Sequence, residues 1–310
     1  MISVAFTVLL LAEPQAPAFS AQVEVVRLDV AVTRESRPVS GLGPANFEVR
    51  EDGVLQEIQS ARWGEEPIEV VLALDTSGSV AGPRIERLKA AASSLFAQLR
   101  RDDCVRILTF ASGVRFAEGG CLDAGAAGAA IQSAVGMGGT RLHDGLYAAL
   151  ALAGGQKGLP IVVALTDGQD TSSWLSSEAV LLAAKALPTT VHVVVAVDSR
   201  GFRFSTPDWH ERRAVMDGDL APVVRGGTPP FLERIASETG GRVFRMAEND
   251  VETAFGRVLQ EIRGRYVLRY EPKKVTRSGW HRLEVKLKGV RGDVLARRGY
   301  LGATSTPPTN

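Results

Sequence analysis

Three short segments carry oxygen-bearing side chains in a pattern suited to a hard cation: Asp75-Thr76-Ser77-Gly78-Ser79, Gly138-Gly139-Thr140 and Thr166-Asp167-Gly168. Together they offer two carboxylates, Asp75 and Asp167, and three hydroxyls, Ser77, Ser79 and Thr140. An all-oxygen set with few carboxylates suits Mg2+, with Ca2+ or Mn2+ as alternatives, because such ions take oxygen ligands and Mg2+ keeps several waters. Residues 75, 77 and 79 can turn inward together in one loop, and Gly78 permits the tight path. Where hydroxyls supply most contacts, the charge of the ion is under-neutralised. It then attracts an anion, and the obvious one is an Asp or Glu carboxylate presented by another protein. Each residue also has a plainer reading. Ser77 and Ser79 suit turns or helix capping, Thr140 suits the N-cap of a helix near 142, and Asp167 suits a strand-end turn. Those readings explain the residues singly and not as a set.

The surrounding pattern says what must position them. IEVVLALD (68–75) and the run at 160–166 are continuously apolar, as strands of a parallel sheet buried on both faces are. Ile85, Leu88, Ala92, Leu95 and Leu99 recur at helical spacing, which predicts a helix over 83–100 with Pro83 in its first turn. Further helices are expected at 124–135, 143–153, 176–187 (with Ser176 or Ser177 as N-cap), 230–239 and 251–264. Strands are expected at 105–110 with a hairpin partner, at 191–197 and at 242–245. This alternation predicts an α/β fold with a doubly wound, mostly parallel, Rossmann-like sheet and helices on both faces. Ligands of such sheets bind beyond the carboxyl ends of the strands, which is where all three segments fall.

The order D-x-S-x-S, then T, then D, set within these elements, resembles the metal-ion-dependent adhesion site of von Willebrand factor A domains over roughly residues 68–264. D-x-S-x-S alone is a weak signal; following one buried strand, with GGT and a TDG after another, it is specific. The resemblance implies Ser77, Ser79 and Thr140 as direct ligands and Asp75 and Asp167 as ligands directly or through water. It also implies coupling to movement of the last helix. The flanks, with NFEVREDGVLQEI before and RYVLRY and ARRGY after, are similar to the von Willebrand factor A-related proteins abundant in Acidobacteria. Residues 199–228, rich in Arg, Asp, Gly and Pro, depart from a minimal A domain and read as a surface insertion.

The two ends of the chain read as β structure. Val26, Leu28, Val30 and Val32 alternate with Arg27, Asp29 and Thr33, and Asp52-Gly53 is a hairpin signal between 47–50 and 54–58. Near the other end, 266–270, the alternation at His281, Leu283, Val285 and Leu287, and 294–300 read as three strands. Neither end is large enough to bury a core alone, so they are expected to pair into one small β-sandwich with the α/β domain inserted between them. The expected organisation is a signal peptide (1–21), an N-terminal β region (22–65), the α/β domain (66–264), a C-terminal β region (265–302) and a flexible tail (303–310).

Export is expected from VAFTVLLLA (4–12) followed by Ala16, Ala18, Ser20 and Ala21, although no Lys or Arg precedes the apolar run. The mature chain would be periplasmic, on the cell surface or secreted, without a transmembrane helix. Lys plus Arg (36) balance Asp plus Glu (35), which gives no footprint for nucleic acid. Counting outward from a two-residue turn at Ser112-Gly113 sets Cys104 opposite Cys121. A disulfide fits that register, and so do two unpaired thiols. Asp144 and Asp170 lie near the site, where Asp144 suits the first turn of a helix and Asp170 suits support of the Asp167 loop. Trp174 is expected to pack at the rim, an exposed Trp being the arrangement that would suit a partner. Arg291-Gly292-Asp293 reads as a turn between strands. The four histidines show no metal-ligand spacing, and no P-loop or nucleophile elbow is present. The leading expectation is a non-enzymatic, metal-dependent protein-binding module. The alternatives are a structural or assembly protein with a stabilising metal, and a metal-dependent hydrolase for which His143 is the nearest base.

Overall fold

A computed structural model of the chain describes residues 25–35, 37–64, 66–153, 159–197, 228–247, 251–276 and 278–302. The segments read as a signal peptide, as a tail and, all but residue 228, as an insertion lie outside them. The chain opens with β1 (Val26–Arg34), the two-residue β2 (Arg37–Pro38), β3 (Phe47–Glu51), β4 (Val54–Gln56) and β5 (Ile58–Trp63). Asp52 and Gly53 both take positive φ, 50° and 82°, and connect the pair Glu51↔Val54. Two left-handed residues in succession match the twist of a hairpin, and this is why Asp-Gly turns favour the position.

Next come β6 (Ile68–Asp75), α1 (Pro83–Phe96), β7 (Cys104–Phe110), β8 (Val114–Phe116), α2 (Ala124–Gln132) and α3 (Leu142–Ala153). They are followed by β9 (Leu159–Thr166), α4 (Ser177–Ala186), β10 (Thr190–Val197), α5 (Pro230–Thr239), β11 (Val243–Ala247) and α6 (Val251–Arg263). Their strands form one sheet in the order β11-β10-β9-β6-β7-β8. All neighbours run parallel except β8, which is antiparallel to β7. Val70, Leu72 and Leu74 of β6 share a core with residues of α1, α2 and α6. Val71 and Ala73 share the opposite core with α3, α4 and α5. Burial on both faces explains the unbroken apolar runs. From β6 the chain moves outward to β7 and β8, then crosses back to β9 on the other side of β6. The loops leaving β6 and β9 therefore diverge, and a crevice opens at their carboxyl ends.

The chain closes with β12 (Arg265–Tyr270), β13 (Gly279–Leu287), β14 (Asp293–Ala296) and β15 (Gly299–Gly302). Two small sheets result, β14-β1-β12-β5 with β2 on β1, and β15-β13-β3-β4. Each combines strands from both ends of the chain. They share one core that includes Leu28, Val30, Val32, Phe47, Val49, Tyr266, Leu268, Tyr270 and Leu283.

Three local expectations need correction. The helix expected over 83–100 ends at Phe96, because the Asp103 carboxylate accepts from the amides of Arg100 (2.6 Å) and Ile68 (3.1 Å) and turns the chain into the sheet early. The strand expected over 294–300 is two strands in different sheets, since β14 pairs β1 while β15 pairs β13. Arg297 makes the break, its guanidinium donating to the carbonyls of Gly299 (2.7 Å) and Lys185 (2.9 Å). The β7–β8 hairpin has a three-residue loop, because Phe110 pairs with Val114. A later bridge, Val105↔Leu122, shifts the register again. The Cys104–Cys121 disulfide closes across this irregularity and not across a regular pair.

Candidate metal centre

The three segments that carry the five oxygen-bearing residues come together at the crevice between β6 and β9, bonded through Gly78 to Gly138, Thr166 to Asp75 and Thr140 to Thr171. Asp75 is the last residue of β6, and Asp167 directly follows β9. Ser77 and Ser79 lie in the loop after β6, where Gly78, Ser79 and Val80 make one 3-10 turn. The Gly78 amide donates to the Gly138 carbonyl (2.9 Å) and the Met137 amide to the Thr76 carbonyl (2.9 Å). These two bonds lock the segment that carries Thr140 against the serine loop. Asp75, Ser77, Thr140 and Asp167 are buried, and Ser79 is half-buried.

Hydrogen bonds orient the first carboxylate. Asp75 Oδ1 accepts from the Ser77 amide (2.9 Å) and Oδ2 from the Thr166 hydroxyl (2.7 Å). Thr166 Oγ1 in turn accepts from the Gly168 amide (3.0 Å). Burial, then the negative charge of Asp167, raise the Asp75 carboxyl from the usual range to about 6. On the second carboxylate, Asp167 Oδ1 accepts from the Gln169 amide (3.0 Å). Asp167 Oδ2 is buried and has no hydrogen-bond partner. Two acids that repel each other, one with an orphaned oxygen, are expensive to bury. A divalent cation would offset both costs, and the donor set of two carboxylates and three hydroxyls fits a hard ion.

The plainer readings of the hydroxyls fare poorly. Ser77 makes no side-chain cap bond to the 3-10 turn it precedes, and its Oγ lies 3.0 Å from that of Ser79. The first amides of α3 are taken by Asp170 Oδ1 (Leu142, 2.8 Å) and Ser173 Oγ (His143, 3.0 Å), so capping does not fall to the Thr140 side chain. Instead the Thr140 backbone is clamped. Its amide donates to Thr171 Oγ1 (2.8 Å), and its carbonyl accepts from the amides of Thr171 (2.9 Å) and Ser172 (3.1 Å).

Asp170 and Asp144 are therefore scaffold residues. Asp170 joins the Asp167 loop to α3, and Asp144 accepts from the amides of Trp174 (3.1 Å) and Leu175 (3.0 Å). His143 places Nδ1 3.2 Å from the Leu175 carbonyl and its ring edge-on to Phe231, so it too is built into the loop. Trp174 does not pack at the rim as expected. It is 83% exposed, with the Arg141 guanidinium 5.6 Å from the ring centre and its amide held by Asp144. Met137 and Val135, on the segment before Thr140, are exposed as well. Thr166, Thr171 and Ser173 were not singled out from sequence. The one signal for Thr166 was a hydroxyl immediately before the strand-end acid.

Residues 70–169 match the family model for the von Willebrand factor type A domain. No curated protein matches the chain in sequence. Among solved structures, an aerotolerance-related membrane protein from Bacteroides fragilis is similar over 63% of this chain and 98% of its own, at 21% identity and a TM-score of 0.46. The conserved hypothetical protein BatB from Bacteroides thetaiotaomicron is similar over 62% of this chain and 99% of its own, at 18% identity and a TM-score of 0.45. A von Willebrand factor type A structure from Catenulispora acidiphila is similar over 91% of this chain and 76% of its own, at 13% identity and a TM-score of 0.49.

Proposed function

We propose that this chain, which carries a von Willebrand factor type A domain, is an exported protein that binds another protein through a divalent cation. Asp75, Ser77, Ser79, Thr140 and Asp167 would hold the ion, Mg2+ in the first instance. The bound cation supplies a positive charge that attracts an Asp or Glu carboxylate of the partner. The observation that carries this reading is the buried pair of Asp75 and Asp167, with Asp167 Oδ2 left without a donor. The exposed Trp174, Met137 and Val135 favour a macromolecular partner over a small anion, since exposed apolar groups beside a polar site suit protein contact. No helix among the described residues is long and apolar enough to cross a membrane. The disulfide supports an oxidising compartment, as export would provide.

Calorimetric titration with Mg2+ tests the proposal on residues 22–310. Wild type should bind one ion, and Asp75→Ala and the Ser77→Ala/Ser79→Ala double variant should bind none while keeping the wild-type circular dichroism spectrum. Equal heats from wild type and folded variants would sink it.

A further inference from the structure

A second cluster of ligand-type side chains lies in the two small sheets. Glu51 ends β3, Asp52 starts the turn into β4, and His281 stands on β13. His281 Nδ1 is 2.9 Å from Asp52 Oδ2 and 3.1 Å from Glu51 Oε1. One ligand atom from each residue lies within 4.8 Å of the other two. Two donors each about 2.1 Å from one ion, at tetrahedral or octahedral angles, are themselves ~3.0–3.4 Å apart. The observed separations approach that edge length.

Burial and donor type point the same way. Glu51 and His281 are fully buried, while the Asp52 side chain is 37% exposed. The imidazole turns Nδ1 toward both carboxylates, and one nitrogen with two carboxylate oxygens is a donor set that zinc-class ions take. Glu51 is also fixed in place, because Tyr270 donates to its far oxygen, Oε2 (2.9 Å), and Tyr300 to Oε1 (2.7 Å), the oxygen that faces His281. Outer hydroxyls of this kind fix a ligating carboxylate. The exposed Asp52 gives an ion a way in from solvent.

We propose that Glu51, Asp52 and His281 form a separate site for a divalent transition metal of the zinc class, with imidazole nitrogen and carboxylate oxygen as ligands and a position open to solvent. Mixed nitrogen and oxygen ligands select such an ion over Mg2+. The site would clip the β3–β4 turn to β13, joining positions 229 residues apart in sequence.

The test is a Zn2+ titration of the metal-stripped chain, residues 22–310, in saturating Mg2+. One Zn2+ per chain should bind, and Asp75→Ala should retain it, which separates this site from the crevice. His281→Gln should abolish binding. Asp52→Asn, at an exposed positive-φ position that Asn tolerates, should fold normally and weaken Zn2+ at least tenfold. Should His281→Gln fail to fold, Co2+ added to wild type should shift and broaden the His281 ring proton resonances. Zn2+ affinity unchanged in Asp52→Asn, no Zn2+ bound in Asp75→Ala, or unmoved His281 resonances would each overturn the proposal.

Discussion

Asp75 shows how a single residue can be costly to the empty protein and useful to the loaded one. Its carboxyl is raised from 3.8 to about 6 by burial and by Asp167. Between those values the folded state holds more protons than the unfolded chain. Stability of the metal-free protein should therefore fall as pH rises from about 4 to about 6 and then level off, a loss of about 3 kcal/mol from this group. Asp75→Asn cannot ionise, and the Thr166 hydroxyl can turn to accept from its amide. In EDTA at pH 7, urea unfolding should find this variant more stable than wild type by about 1–3 kcal/mol. In saturating Mg2+ the order should reverse. Wild type and variant with the same pH slope would show that Asp75 is not destabilised. Spacing groups Asp75, Ser77, Ser79, Thr140 and Asp167 as the proposed ligand set and already suggests Asp170 as support for the Asp167 loop, whereas the role of Thr166 is not readable from it. A hydroxyl that supports a ligand has no required spacing from it, since it reaches across from another element.

Element by element, the site depends on how closely α3 approaches the sheet. Gly145 lies in the middle of α3, where glycine ordinarily costs about 1 kcal/mol relative to alanine. Here a Cβ would stand 2.6–2.9 Å from atoms of the Phe110 side chain. Phe110 is fully buried at the end of β7 and cannot retreat. Overpacking of this kind costs about 1–3 kcal/mol, so it outweighs the propensity gain. Gly145→Ala should lower the stability of the protein and weaken Mg2+ affinity, because α3 carries the chain leaving Thr140. Thermal melts with and without Mg2+ would read both effects, and a stabilised variant would refute the steric argument. The elements themselves were largely legible, since strong periodicity and Pro or Ser at helix starts are local signals. The β7–β8 register and the end of α1 were not. The first was decided by a three-residue turn, Phe110 pairing with Val114, and the second by a bond to Ile68, distant in sequence.

Across the whole molecule, the two ends of the chain build one small two-sheet unit, and Arg265 sits where the chain returns to it from α6. Its guanidinium is buried and donates to the Gly240 carbonyl (2.7 Å). It also acts as a counter-charge to Asp29 of β1 and Glu261 of α6. Without Arg265, Asp29 keeps Arg27 and Glu261 keeps Arg242, so the loss stays below the about 3–5 kcal/mol of a fully broken buried pair. Arg265→Ala should lower chemical-denaturation stability by about 1–3 kcal/mol. Combining Arg265→Ala with Asp29→Asn should cost less than the sum of the two single changes. Additive losses would show that the charges do not compensate each other.

The sequence by itself determined the α/β alternation, the strand ends that carry Asp75 and Asp167, and the family resemblance through D-x-S-x-S, T and D. These follow from short-range patterns, because a strand buried on both faces or an amphipathic helix writes its burial into neighbouring residues. Only the tertiary structure decided that Asp167 Oδ2 is left without a donor, that Trp174 stands exposed, that 294–300 divides between two sheets, and that Glu51, Asp52 and His281 meet. Those facts depend on which residues far apart in sequence come within a few ångströms, and on which buried polar atoms find no partner. Local periodicity does not encode either one.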